Sequence, residues 1–237
     1  MIKFFYIRDE TDDGIEPLEI ELISNIPTMS TDEYIPLGIR FLKGKQDFSR
    51  FNENNLFSLL MKFDDLYHEI ALFRCFKKLP TISDTQWYLT GFGETDILKI
   101  NILELWNCSI NVNWLDLDKR YAYSWISICR RLASKNNWLQ KIITTDDIII
   151  DAKNLRSKDD FYCYLGEKFF GYRGYAGGNL DALHEVLKVN NVKNTISIEN
   201  NVFEFLRKET NRNDYFSLFI NVLRKVGCSV VFRPDGQ

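Results

Sequence analysis

Histidine is nearly absent from these 237 residues: there are two, His68 and His184. His68-Glu69 lacks the second histidine of H-E-x-x-H, and no G-x-S-x-G accompanies either ring. Neither a metal site nor a nucleophile–base couple can therefore be proposed. The five cysteines (Cys75, Cys108, Cys129, Cys163, Cys228) are scattered and never spaced C-x-x-C. That excludes a disulfide frame or zinc site and suits buried thiols in a reducing compartment. Cationic excess is missing too: 30 Lys and Arg face 33 Asp and Glu, a net charge of −3. Proteins that neutralise many phosphates usually carry the opposite balance, so no direct nucleic-acid ligand is expected. No apolar run approaches the ~18–20 residues of a membrane span. The opening apolar stretch is also too short for a signal peptide, so the expected location is cytoplasmic. No cofactor is implied by any motif.

What is present is an ordinary globular balance, 45% hydrophobic and 27% charged. At about 150 residues per domain, the length suits one large domain or two ordinary ones. All five tryptophans (Trp87, Trp106, Trp114, Trp125, Trp138) precede residue 140, and most are expected in the core. Residues 144–237 hold 13 basic and 13 acidic side chains, so the acidic excess lies before them. The polar step Thr144-Thr145-Asp146-Asp147 suggests a division into domains 1–143 and 144–237. It is too short for a flexible linker.

The first domain reads as α+β. Leu18, Ile20 and Leu22 alternate with Glu19 and Glu21 as in a half-buried strand, and Tyr34–Leu42 continues in that style. Leu56, Leu59, Leu60, Phe63, Leu66, Tyr67, Ile70 and Phe73 recur at three- and four-residue steps, predicting a helix over Asn55–Phe76 with a candidate break near Asp64-Asp65. Strands are expected around Trp87–Phe92 and Ile97–Val112, then a helix over Ser124–Leu139 with Trp125, Ile128 and Leu132 on its apolar face.

The second domain is more regular. Ile148-Ile149-Ile150 reads as a strand covered on both faces. Ser157 caps a helix from Lys158 to about Phe170, with Asp160 in its first turn. The connection Gly171–Gly178 lacks the Gly-Lys-Ser/Thr ending of a phosphate loop, so Gly174, Gly177 and Gly178 are read as sites of positive φ in a tight turn. Asn179 opens a helix to Val189. Thr195–Ile198 is a strand, Val202–Lys208 and Asp214–Val226 are helices, and Cys228–Phe232 is the last strand. This order implies right-handed crossovers and a small parallel sheet covered by helices.

The informative run is Gly177-Gly178-Asn179-Leu180-Asp181-Ala182-Leu183-His184-Glu185-Val186-Leu187-Lys188. On a helix, Leu180, Leu183 and Leu187 share the docking side, while Asp181, His184, Glu185 and Lys188 share the other. The plain alternative is that Asp181 only complements the helix dipole and Glu185 only pairs with solvent or Lys188. The Gly-x-Asn-Leu-Asp-Ala-Leu run after Tyr175 is more specific. Together with Ile148–Ser157, Asp160-Phe161, Tyr164-Leu165 and Gly227-Cys228, it resembles the barstar family of ribonuclease inhibitors over Ile148–Phe232.

The resemblance implies a three-stranded parallel sheet with helices, and a protein that binds rather than catalyses. It implies that Tyr175 contacts a nuclease from the loop and that Gly177, Gly178, Asp181, His184, Glu185 and Lys188 belong to the partner-binding face. Asp181 would meet the enzyme's cationic centre, Glu185 would be the deepest anion, and Asn179 would fix the loop-to-helix turn. His184 stands where the family has tryptophan, a second tryptophan near Asn190 is absent, and Val222 replaces a late acid. Such losses point to a partner other than barnase. The expectation is a cytoplasmic immunity protein, not an enzyme, that neutralises a cognate bacterial toxin of nuclease type without binding membrane, metal or nucleic acid. Residues 1–143 carry no recognised family. Rival readings place an enzyme or the main toxin-binding module there, or make the chain a regulator of a partner that is no toxin.

Overall fold

The computed structural model describes residues 5–10, 16–22, 35–41, 55–79, 86–143 and 147–236. The chain divides into two compact units, Met1–Asn111 and Val112–Gln237. Asp147, the last residue of the polar step, falls inside the second unit; Thr144, Thr145 and Asp146 lie outside the described residues. Among the described residues no helix is long and apolar enough to cross a membrane, and no cluster of His, Cys, Asp and Glu could hold a metal.

The first unit is a closed antiparallel barrel of six strands: β1 (Phe5–Asp9), β2 (Leu18–Leu22), β3 (Ile35–Phe41), β4 (Leu56–Phe63), β5 (Leu66–Leu79) and β6 (Gln86–Thr95). Their order is β1-β2-β3-β6-β5-β4. Among the described strands, closure leaves no unpaired edge. Helix α1 (Ile97–Asn107) packs on β4 and β5, with Ile100, Ile102, Leu103 and Trp106 buried.

Two expectations fail here. The helix expected over Asn55–Phe76 is instead the β4–β5 hairpin. Asp64 and Asp65 turn the chain with φ of 49° and 58°, as a two-residue primed turn requires. Phe57, Leu59, Leu60 and Met61 are all buried, so β4 lacks the alternation of a one-sided strand. That clustering imitates helical spacing. The strand expected over Ile97–Val112 is α1, which starts where the Asp96 carboxylate accepts from the Lys99 amide at 2.9 Å. His68 is buried at 3% exposure.

The second unit opens with a 3₁₀ turn (Trp114–Asp116) and α2 (Tyr121–Lys135). There follow β7 (Asp147–Ile150), α3 (Lys158–Phe170), α4 (Leu180–Val189), β8 (Thr195–Glu199), α5 (Asn201–Thr210), α6 (Tyr215–Lys225) and β9 (Ser229–Arg233). The three strands form a parallel sheet ordered β7-β8-β9, as expected. The strand covered on both faces is not β7, however. β7 is an edge strand in which burial alternates, and β8 is central with Ile196, Ser197 and Ile198 fully buried. Asp147 ties all three strands together: it accepts from Ser197 at 2.8 Å and from Arg233 at 2.6 Å.

Trp114 and Trp125 are 1% exposed, in keeping with a core role; the Trp87 side chain lies outside the described residues. Cys129, Cys163 and Cys228 are buried free thiols, but Cys108 is exposed. Burial raises the thiol pKa of Cys129 and Cys163, and pushes that of Cys228 up to about 11.

Candidate interaction surface

Helix α4 is built to stand in one position. Asn179 caps it, its side-chain oxygen accepting from the Ala182 amide at 2.8 Å. Leu183 and Leu187 are fully buried beneath it. Asp181, Glu185 and Lys188 are exposed, and His184 is half-buried with Nδ1 3.0 Å from a Glu185 oxygen. The two carboxylates do not share surroundings. Glu185 lines a groove toward α2, whereas Asp181 is not among its lining residues. Asp181 lies near Tyr162, whose hydroxyl pKa is raised by burial first, then by its bond to Tyr215, with Asp181 a further contribution.

The loop before α4 is tied down at both backbone groups of Tyr175. Gln140 donates to the Tyr175 carbonyl at 2.7 Å and accepts from its amide at 2.8 Å. Asn190, just past the end of α4, accepts from the Gln140 amide at 2.7 Å and donates to the Trp138 carbonyl at 2.9 Å. These bonds hold Asn137 and Trp138 at φ of 51° and 67°. A bulky side chain rarely adopts that backbone unless its surroundings over-determine it.

Tyr175 is 6% exposed and its ring centroid lies 6.0 Å from that of Trp138. It is a wall of the groove, not a projecting finger. Burial raises its hydroxyl pKa, with Arg130 opposing.

The glycines divide by physical reason. Gly171 and Gly177 have φ of 83° and 106°. Gly174 is required for space, since a Cβ there would sit 2.3 Å from the Gly166 carbonyl oxygen. Gly178 has neither constraint: a Cβ would meet only Ile126 at an ordinary 3.7 Å. Positive φ, expected for Gly174, Gly177 and Gly178 alike, is found only at Gly177 of the three.

Sequence reasoning missed the other wall. The groove, about 600 Å³ in volume, has Tyr123, Ile126, Ser127 and Arg130 of α2 facing Ala182, Glu185, Val186 and Val189 of α4. The i, i+4, i+7 stripe Tyr123-Ser127-Arg130 is legible in the sequence, but nothing there says what it faces. A second clamp ties the turn ahead of α2 to the segment that follows β7. Arg156 bonds both oxygens of Asp160 (Nε at 2.8 Å) and donates to the carbonyls of Leu115, at 3.1 Å, and Leu117, at 2.6 Å. Asp160, expected only to complement a helix dipole, is fully buried and anchors this network.

Residues 146–231 match the family model of barstar, the barnase inhibitor. No curated protein and no solved structure matches the chain. The barstar-like segment covers β7 through most of β9, with α3 to α6 between. It includes Tyr175 and all of α4. α2, Trp138 and Gln140 lie outside the segment but inside its compact unit. The match is to a family of inhibitors, which supports a role in protein binding.

Proposed function

We propose that the chain is an immunity-type inhibitor, not an enzyme, in which α4 presents Asp181 and Glu185 to the active site of a cognate ribonuclease toxin in the cytoplasm. One observation carries this reading: within the barstar-like segment, two exposed carboxylates one turn apart stand on a helix fixed at both ends. Nuclease sites gather cations that stabilise phosphoryl charge. Rigid carboxylates placed there substitute for phosphate without the entropy cost of ordering a flexible chain. His184 and Lys188 border these acids and help to set the register, while Gly177 and Gly178 shape the approach.

The test is calorimetric binding between the full chain and the product of its neighbouring gene, with cleavage of a fluorogenic RNA as second readout. Asp181→Ala and Glu185→Ala should each weaken binding by about 2–5 kcal/mol, as expected when one partner of a desolvated charge pair is truncated. Added salt should slow association. Unchanged affinity in the double variant would refute the proposed interface.

A further inference from the structure

The groove between α2 and α4 has a character that the acidic helix face alone does not. Its buried lining is apolar and aromatic: Ile126 and Val186 are 9% and 6% exposed, and Tyr175 and Trp138 line it as well. Its rim is open, with Tyr123 69% and Val189 47% exposed. Its two charges have opposite signs and stand on opposite walls, Arg130 on α2 and Glu185 on α4. About 600 Å³ falls within the ~300–1,000 Å³ of built binding sites.

That charge arrangement selects the occupant. A nucleotide or phosphate would meet Glu185 with like charge, and a lone lysine or arginine side chain would meet Arg130 with like charge. A ligand bearing both signs across an apolar centre satisfies every wall. We propose that the groove receives a loop of the partner protein that inserts an aromatic side chain between Tyr123 and Val189, flanked by a cation toward Glu185 and a carboxylate toward Arg130. This rests on the reading of α4 as the docking face and extends it: α2, which lies outside the barstar-like segment, becomes the second jaw and sets partner specificity. Buried aromatic anchors in well-packed pockets are where protein interfaces concentrate affinity, and charges at the rim choose between partners.

Blocked tripeptides probe the groove without the toxin. The ¹⁵N-labelled full chain is titrated with Ac-Lys-Trp-Glu-NH₂, Ac-Lys-Trp-Lys-NH₂ and Ac-Glu-Trp-Glu-NH₂, following the Trp138 indole and Gly178 amide resonances. The mixed-charge peptide should shift both and bind about threefold more tightly than either like-charged peptide, the scale of one exposed ion pair. Arg130→Glu should move the preference to the doubly cationic peptide, and Glu185→Lys to the doubly anionic one. Absence of shifts at both resonances, or equal affinity for all three peptides, overturns the proposal. Such a failure is separable from failure of the inhibitor reading. A groove indifferent to the peptides, in a protein whose Asp181→Ala variant still loses its nuclease, sinks the groove alone. A groove that discriminates, in a chain that inhibits no nuclease, sinks only the inhibitor reading.

Discussion

The barrel and the α/β unit solve the same problem, burying a sheet, by different means. In the barrel, cohesion runs along the backbone: six antiparallel strands close on themselves, and each pairing fixes its neighbour's register. The three-stranded parallel sheet of the second unit has two edges and needs outside help. Side chains supply it: Asp147 joins the strands through Ser197 and Arg233, and bonds to backbone tie the surrounding segments, Arg156 to the Trp114–Leu117 turn, Gln140 to Tyr175, and Asn190 to Trp138. An architecture clamped at a few points leaves the surface between the clamps available for presentation, and α4 occupies that surface. In the barrel the continuous strand pairing shares the load, and side-chain bonds such as Lys99 to the Glu69 carbonyl at 3.0 Å only add to it. The two units should therefore respond very differently to single substitutions.

The largest effect is expected at the Arg156 clamp. Arg156→Met would leave a fully buried carboxylate at Asp160 without its cation, and would free the carbonyls of Leu115 and Leu117. Breaking a buried pair from one side costs about 3–5 kcal/mol. Asp160→Asn should cost less, because the guanidinium left behind keeps 33% of its side-chain surface exposed. The paired change Arg156→Met with Asp160→Leu should recover much of the loss, since apolar replacement of both partners removes the stranded charge. Hydrogen exchange at β8, read against denaturant, measures all three. An Arg156→Met protein with unaltered β8 protection would show that the clamp is ornamental and that the contrast between the units is wrong.

The same contrast explains what the sequence makes legible. In the second unit the strands at Ile148–Ile150, Thr195–Ile198 and Cys228–Phe232 stand out because helices with clear caps at Ser157 and Asn179 separate them. Even so, which strand is central could not be read. Ile148-Ile149-Ile150 looks more buried than Thr195-Ile196-Ser197-Ile198, but pairing order, not local hydrophobicity, decides coverage. In the barrel, β4 is buried at consecutive positions, which erases the two-residue period, and the β4–β5 turn carries Asp-Asp where Asn-Gly would have announced a hairpin. At the site, the outward acids of α4 follow from helical spacing. Arg130 and Tyr123 could not be placed, because their role depends on α4, which begins fifty residues or more further along the chain.

A smaller effect separates the two glycines ahead of α4. Gly177→Ala would force an L side chain at φ of 106°, its Cβ 2.6 Å from the Leu183 amide nitrogen. Backbone of α4 cannot yield cheaply, so the cost should be about 1–3 kcal/mol. Gly178→Ala places its Cβ 3.7 Å from Ile126 and should leave the thermal midpoint unchanged. If both substitutions were equally harmful, α4 would owe its position to the loop as a whole and not to one close approach.

The smallest effect carries a sign that tests the barrel itself. Asp64 and Asp65 both hold left-handed backbone, and Asp65 makes an exposed contact to Lys62 at 3.4 Å, the kind worth a few tenths of a kcal/mol. The double substitution Asp64→Asn with Asp65→Gly supplies the residues that a primed two-residue turn prefers, and it removes the strain of a Cβ at the second positive φ. In the hairpin this should stabilise by up to about 1 kcal/mol. Were Asn55–Phe76 the helix that its spacing suggests, the same glycine would sit mid-helix and destabilise by about 1 kcal/mol relative to a good helix former. Similar magnitude and opposite sign make the denaturation midpoint decisive. An upward shift requires the hairpin. A downward shift would return the segment to a helix and dissolve the contrast between a barrel closed by its backbone and a unit held by clamps.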